Sequence, residues 1–177
     1  MTCIVALAHG GTVYMGADSA SSDGWSMIER NDPKIFRVGP FLIGFTTSFR
    51  MGQLLGYSLT VPERRADVEP FAYMCTTFIE AVRSCLKSGG YASKQNEREE
   101  AGVFLCGYEG RIFRIDSDYH VGESLLNFSA CGCGQDLALG SLYSTVGLDA
   151  EQRVTTALCA AARFSAGVRE PFKIETL

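Results

Sequence analysis

The sequence is poor in residues on which many enzymes depend. Among its 177 residues are two histidines, His9 and His120, and one tryptophan. His9 precedes a turn and His120 falls in a polar loop, so neither has the setting of a Ser-His-Asp relay. An excess of basic charge is missing too. Sixteen Lys and Arg against twenty Asp and Glu leave a net charge of −4, which argues against a nucleic-acid partner. No apolar run approaches the roughly 20 residues that span a bilayer, so no membrane partner is expected. The apolar stretch Thr2–Ala8 lacks a basic flank and ends at Gly10-Gly11, which makes it part of the fold rather than a signal peptide. There is no P-loop, no GxGxxG fingerprint, no internal repeat and no linker. The seven cysteines are odd in number and scattered, several inside apolar runs such as Phe71–Leu86. They read as small buried hydrophobes in a reducing, cytoplasmic setting. Cys131-Gly-Cys133 has no second pair at ligand spacing, so it reads as a tight glycine turn, and neither metal nor cofactor is expected. Gly132-Cys133-Gly134, at a helix start, has the form of an anion-binding turn.

What is present is a normal globular balance, 46% apolar and 20% charged, in a length suited to one domain over residues 1–177. Cys3–Ala8 and Val13–Asp18 flank Gly10-Gly11 as a hairpin, and Lys34–Val38 with Phe41–Thr47 makes a second around Gly39-Pro40. These strands are apolar at most positions, which predicts a sheet covered on both faces. The stretch from Ser19 to Pro33 is polar and without assigned structure. A helix is expected from about Ser48 to Leu59. Another runs from Pro70 to Lys87, with a stripe at Phe71, Met74, Cys75, Phe78, Val82 and Leu86. Tyr91–Glu100 reads as a charged loop. Val103–Tyr108 and Arg111–Asp116 flank Glu109-Gly110, residues 124–130 make a further strand, and helices follow at Asp136–Val146 and Asp149–Arg163. Asp149 with Gln152 is a capping pattern. The order predicts an α+β fold, a four-layer αββα sandwich of two stacked antiparallel sheets with a helix pair on each outer face.

The chemistry sits at the N-terminus. Removal of Met1 leaves Thr2 with a free α-amine beside its own hydroxyl. An α-amine with a pKa near 7.7–8.0 can take that proton directly or through water. Asp18 and Lys34 follow at equal steps of 16 residues. A lysine beside the amine disfavours a second positive charge there, and an aspartate holds that lysine charged and oriented.

These residues carry a resemblance. Thr2-Cys-Ile-Val, Gly16-Ala-Asp18-Ser, Asp32-Pro-Lys34-Ile-Phe and Leu42-Ile-Gly44-Phe resemble the proteasome β-subunit family of N-terminal nucleophile hydrolases. Gly132-Cys-Gly-Gln-Asp-Leu-Ala-Leu-Gly140 is similar to that family's glycine-serine-glycine turn and following helix. The length, the absence of a propeptide and the ending Phe164-Ser165 to Phe172-Lys-Ile-Glu-Thr-Leu177 are closest to the HslV-type bacterial peptidases. The match is weakest from Pro62 to Glu100.

The resemblance implies a threonine-type endopeptidase in which Thr2 Oγ attacks the scissile carbonyl and the Thr2 amine serves as base. Lys34 tunes that amine, Asp18 holds Lys34, and the Ser48 N–H serves the oxyanion. It implies an S1 pocket drawing on Ser21, Asp32, Phe36, Thr46 and Arg50. Three departures stand out: Thr47-Ser48-Phe49 replaces paired glycines, Cys133 replaces a serine near the amine, and of an Asp-x-x-Ser pair in the last helix only Ser165 remains, opposite Ala162. It further implies a homo-oligomeric ring of six or seven subunits, stacked in pairs, that degrades peptides or unfolded proteins inside a chamber. Whether an ATP-dependent unfoldase docks at its pores is left open. A decayed ring scaffold and a small-metabolite amidase are the alternative readings of the same residues.

Overall fold

The computed structural model describes residues 1–95 and 98–177. Strands β1 (Cys3–His9) and β2 (Thr12–Ala17) form the first hairpin, β3 (Ala20–Ser22) and β4 (Met27–Glu29) a small one, and β5 (Ile35–Val38) and β6 (Phe41–Phe45) the next. Helix α1 (Phe49–Tyr57) follows. A long helix is then built from α2 (Pro70–Tyr73), a π segment (Met74–Phe78) and α3 (Ile79–Ser88). Strands β7 (Ser93–Gln95), β8 (Arg98–Glu100), β9 (Phe104–Tyr108), β10 (Arg111–Ile115), β11 (Val121–Glu123) and β12 (Phe128–Gly132) lead to helices α4 (Gln135–Ser144) and α5 (Ala150–Phe164) and the last strand β13 (Lys173–Thr176).

Two antiparallel sheets stack, one ordered β12-β1-β2-β13 and the other β11-β10-β9-β6-β5. The expected four-layer αββα arrangement is what forms, and β1 shows why both strand faces are apolar. Cys3, Val5 and Leu7 turn outward to Val154, Ala157, Leu158 and Ala161 of α5 and to Leu142 of α4. Ile4 and Ala6 turn inward to Leu42, Leu105 and Ile112 of the other sheet. The second helix pair lies on the five-stranded sheet, where Phe41 stacks at 4.5 Å on Phe78 and 4.4 Å on Tyr108. Phe78→Ala removes the centre of that aromatic cluster, where Phe78 is fully buried. A loss of about 3–5 kcal/mol is expected, read as a lower denaturant midpoint with an unchanged slope.

Several boundaries differ from the sequence reading. The Ser19–Pro33 stretch contains the β3–β4 hairpin. The Tyr91–Glu100 loop contains β7 and β8, with residues 96–97 of that expected loop outside the described residues. Residues 124–130 are not one strand. Asn127, at φ 56°, closes a turn in which its N–H donates to the Ser124 carbonyl, Leu125 is fully exposed, and the strand starts at Phe128. The Leu125-Leu126 pair looks like strand but follows the turn geometry of its neighbours.

In the long helix, Met74, Phe78, Val82 and Leu86 are buried as expected, but Cys75 is exposed and Phe71 is more than a third exposed. Positions spaced by four drift about 40° per step around an α-helix of 3.6 residues per turn. The wider π turn at Met74–Phe78 takes up that drift and moves Cys75 outward. Of the seven cysteines, all free, only Cys3, Cys106 and Cys131 are fully buried, whereas Cys75, Cys133 and Cys159 are exposed. No helix of the described residues is long and apolar enough to cross a membrane.

Candidate active site

Hairpin register brings Thr2 and Asp18 together. Ile4 pairs with Ala17 across β1–β2, so the ladder's next step sets Cys3 beside Asp18, whose N–H donates to the Cys3 carbonyl at 3.3 Å. On the other side of β1, Cys3 pairs with Gly132, which brings Cys133 beside Thr2. Lys34 belongs to the opposite sheet, just before β5, where its carbonyl accepts from Phe45 N–H. Stacking of the two sheets brings its Nζ to 2.8 Å from Asp18 Oδ1. Thr2, Asp18 and Lys34 are 5%, 2% and 2% exposed, so Asp18 and Lys34 are not a surface ion pair.

Asp18 is saturated with donors. Its Oδ1 also accepts from Cys3 N–H at 2.9 Å, and its Oδ2 accepts from Ala20 N–H at 3.0 Å and Arg169 N–H at 3.4 Å. Burying a carboxyl group away from water is costly unless its oxygens are hydrogen-bonded, and here both are. Burial pulls the Lys34 ammonium below its ordinary pKa, against the opposing charge and hydrogen bond of Asp18. Burial raises the thiols of Cys3 and Cys131, Cys131 to about 12, so neither is poised as a nucleophile.

Around Thr2, the amide N–H donates to Cys133 Sγ at 3.4 Å, and the Cys133 thiol donates to the Thr2 carbonyl at 3.4 Å. Ser165 Oγ donates to Cys133 Sγ at 3.5 Å. Cys133 and Ser165 therefore come to Thr2 as a chain, with the thiol next to Thr2. Thr2 Oγ1 donates to the Met1 carbonyl at 2.5 Å.

The turn read as a possible anion cradle has a different use here, because Gly134 N–H donates to the Thr2 carbonyl at 3.4 Å. Gly132 sits at φ 97°, and a Cβ there would overlap the Thr2 carbonyl oxygen. Gly132→Ala is expected to cost about 3 kcal/mol or more through backbone strain and overlap with backbone, measured as a shift in urea midpoint.

Ser48 is an N-cap, its Oγ accepting from Arg50 N–H at 3.1 Å and Met51 N–H at 3.4 Å. Its own N–H, the expected oxyanion donor, is engaged by the Thr46 carbonyl at 2.8 Å. Thr47 makes that tight turn at φ 71°, an unusual value for a β-branched residue, and Thr47 Oγ1 accepts from Val103 N–H at 3.2 Å.

Of the five expected pocket residues, two line one cavity and a third lines another. Asp32 and Phe36 share a cavity of about 260 Å³ with Arg30, Phe45, Phe49 and Gly56. Asp32 is paired with Arg30 at 2.7 Å, and the Arg30 guanidinium lies 4.3 Å over the Phe49 ring. Arg50 lies on another face of α1 with Leu54 and Ser58, lining a separate groove of about 510 Å³ with Cys85 of α3. The four-residue helical step from Arg50 to Leu54 and Ser58 causes that separation. Ser21 pairs with Ile28 on the small hairpin, and Thr46 is buried beyond the end of β6.

Sequence reasoning missed the segment Gly167–Arg169. It lies over the site through Arg169 N–H on Asp18, the Arg169 carbonyl accepting from Ser19 N–H at 3.1 Å, and Gly167 against the Met1 side chain. Its contribution is largely main-chain, so residue type carried little signal.

No family model matches the chain, and no curated protein matches it in sequence. Solved structures do match in shape. BPH from Thiobacillus denitrificans superposes with a TM-score of 0.79 at 22% identity, covering 99% of this chain and 97% of that one. HslV from Trypanosoma brucei gives 0.70 at 18%, covering 99% and 98%. Anbu, an ancestral beta-subunit from Yersinia bercovieri, gives 0.69 at 14%, covering 100% and 81%. Identities this low speak to architecture alone, and the fold is the one these three structures share.

Proposed function

We propose that this chain is a threonine peptidase whose nucleophile is Thr2 once Met1 has been removed. One observation carries the reading: a fully buried Lys34–Asp18 ion pair at 2.8 Å, in contact through Cys3 N–H with the residue following Thr2. A buried pair of this kind is a costly way to stabilise a fold, so its position beside a potential nucleophile is informative.

In the proposed cycle the Thr2 hydroxyl proton passes to the Thr2 amine, directly or through water, as Oγ attacks the substrate carbonyl. The amine then gives that proton to the departing amine, leaving an ester on Thr2. Water, deprotonated by the same amine, hydrolyses the ester and releases a carboxylic acid. Lys34 lowers the amine's proton affinity by its charge, and Asp18 keeps Lys34 charged. The Ser48 N–H serves the oxyanion by exchanging the Thr46 carbonyl for the substrate's developing charge. Cys133 orients the amine, and Ser165 orients Cys133. The cavity at Asp32 and Phe36, walled by Phe45 and Phe49, supplies an apolar slot with a charged rim for a substrate side chain.

The assembly belongs to the same reading: a homo-oligomeric ring, stacked in pairs, enclosing the Thr2 sites, with peptides or unfolded chains as substrates. The engaged Ser48 N–H favours a decayed scaffold instead, as do the replaced glycines at Thr47-Ser48 and the thiol at Cys133. The structure of Thiobacillus denitrificans BPH in complex with epoxomicin supplies the reagent for a test. Intact mass should show a chain lacking Met1 and a single epoxomicin adduct mapping to Thr2, with native mass spectrometry showing six- or seven-fold assemblies or their doubles. A Met1-free protein that forms no adduct would favour the scaffold, and a stable monomer would favour a small-molecule amidase.

A further inference from the structure

We propose that the bond preceding Thr2 is open to an aminopeptidase only until β1 pairs, so that trimming competes with folding and a chain that folds first stays latent. This rests on the reading of Thr2 as nucleophile, which requires that bond to be cut. Met1 is half-exposed, but Thr2 behind it is buried and tied to its neighbours. The Thr2 N–H is given to Cys133 Sγ, the Thr2 carbonyl accepts from Gly134 N–H, and Thr2 Oγ1 is bonded to the Met1 carbonyl. The Met1 side chain lies against Gly167 so closely that a Cβ there would overlap it.

An aminopeptidase binds the terminal side chain in its own pocket and the following residues in extended form. To present Met1 in that way, the chain must lift Thr2 and Cys3 out of the sheet. Cys3 is completely buried, paired with Gly132, and its N–H is one of the donors holding Asp18. Lifting it breaks the ladder and takes a donor from the buried carboxylate that holds Lys34, so the open form is rare. In the unfolded chain none of these restraints exists. The small Thr2 side chain then leaves the bond accessible. Water is consumed, the Met1–Thr2 amide breaks, the carboxyl group leaves with methionine, and the Thr2 nitrogen becomes the free amine. After folding, the same nitrogen remains an amide that cannot accept the Thr2 proton.

The chain can be made by cell-free synthesis without aminopeptidase, with purified methionine aminopeptidase added either during synthesis or after release and folding. The peptide Met-Thr-Cys-Ile-Val-Ala serves as substrate control in both arms, and intact mass is the readout. Enzyme present during synthesis should remove Met1, whereas enzyme added after folding should act at least about 100-fold more slowly than on the peptide, since cleavage then waits on local opening. Trimming of the folded chain at the peptide's rate would overturn the proposal. So would loss of Met1 with no aminopeptidase present, which would mean self-processing, or failure to trim in both arms while the peptide is cut. The epoxomicin adduct on trimmed protein is scored separately, so failure of the Thr2 reading and failure of this ordering remain distinct.

Discussion

Thr2→Ala should abolish peptide hydrolysis, with a fall in kcat/KM of about 10³-fold or more, while the chain folds and assembles as before. The substitution removes the atom that attacks the substrate carbonyl in the proposed cycle. It leaves the main-chain bonds of Thr2 to Cys133 and Gly134 in place, because none of them uses the hydroxyl. The checks are hydrolysis of a fluorogenic peptide library and native mass spectrometry on the same preparation. Cys133→Ser is the matched control. It keeps a donor and acceptor between Ser165 and Thr2, so activity should survive it. Wild-type turnover by Thr2→Ala would move the nucleophile elsewhere and end the threonine reading.

Asp18→Ala is expected to have the largest combined effect, about 3–5 kcal/mol of stability together with loss of hydrolysis, because it leaves the Lys34 ammonium buried without a counter-charge. Lys34→Met should inactivate nearly as fully but cost less stability, about 1–3 kcal/mol. The Asp18 carboxylate would still accept from the N–H groups of Cys3, Ala20 and Arg169. The two variants also differ in pH dependence. The folded-state pKa of Lys34 lies below its ordinary value near 10.5, so the unfolded chain holds the proton to higher pH than the folded one. Stability therefore rises with pH between the folded and the ordinary pKa, and the penalty is fully present below that window. Removing Asp18 deletes the charge that opposed the shift, so the window widens towards lower pH and the rise becomes larger. In Lys34→Met this rise should vanish. Urea midpoints between pH 7 and pH 10 measure the difference, and equal slopes for the two variants would contradict the assignment.

Much of this was legible in sequence because it is local. Two-sided apolar strands, glycine turns and capped helices come from interactions within a few residues, and they determined an αββα sandwich before any contact was known. Thr2, Asp18 and Lys34 were recoverable for a related reason. The first two sit at opposite ends of one hairpin, so equal arm lengths bring them together, and the third opens the next strand as the cation that would tune the Thr2 amine, a role the resemblance also implies.

What tertiary structure decided lies where distant segments meet. The stacking of two sheets, not the 16-residue spacing, brings Lys34 to Asp18 and buries both. The helical step after Ser48 sets Arg50 in a different groove from Phe36. The π turn sets which face of Cys75 meets solvent, and Arg169 enters the site through a backbone N–H that any residue but proline could donate. Main-chain donors and packing registers leave little trace in residue type. The sequence by itself determined which groups are available for chemistry, and only the folded chain decided which of them are dry, paired and within reach of Thr2.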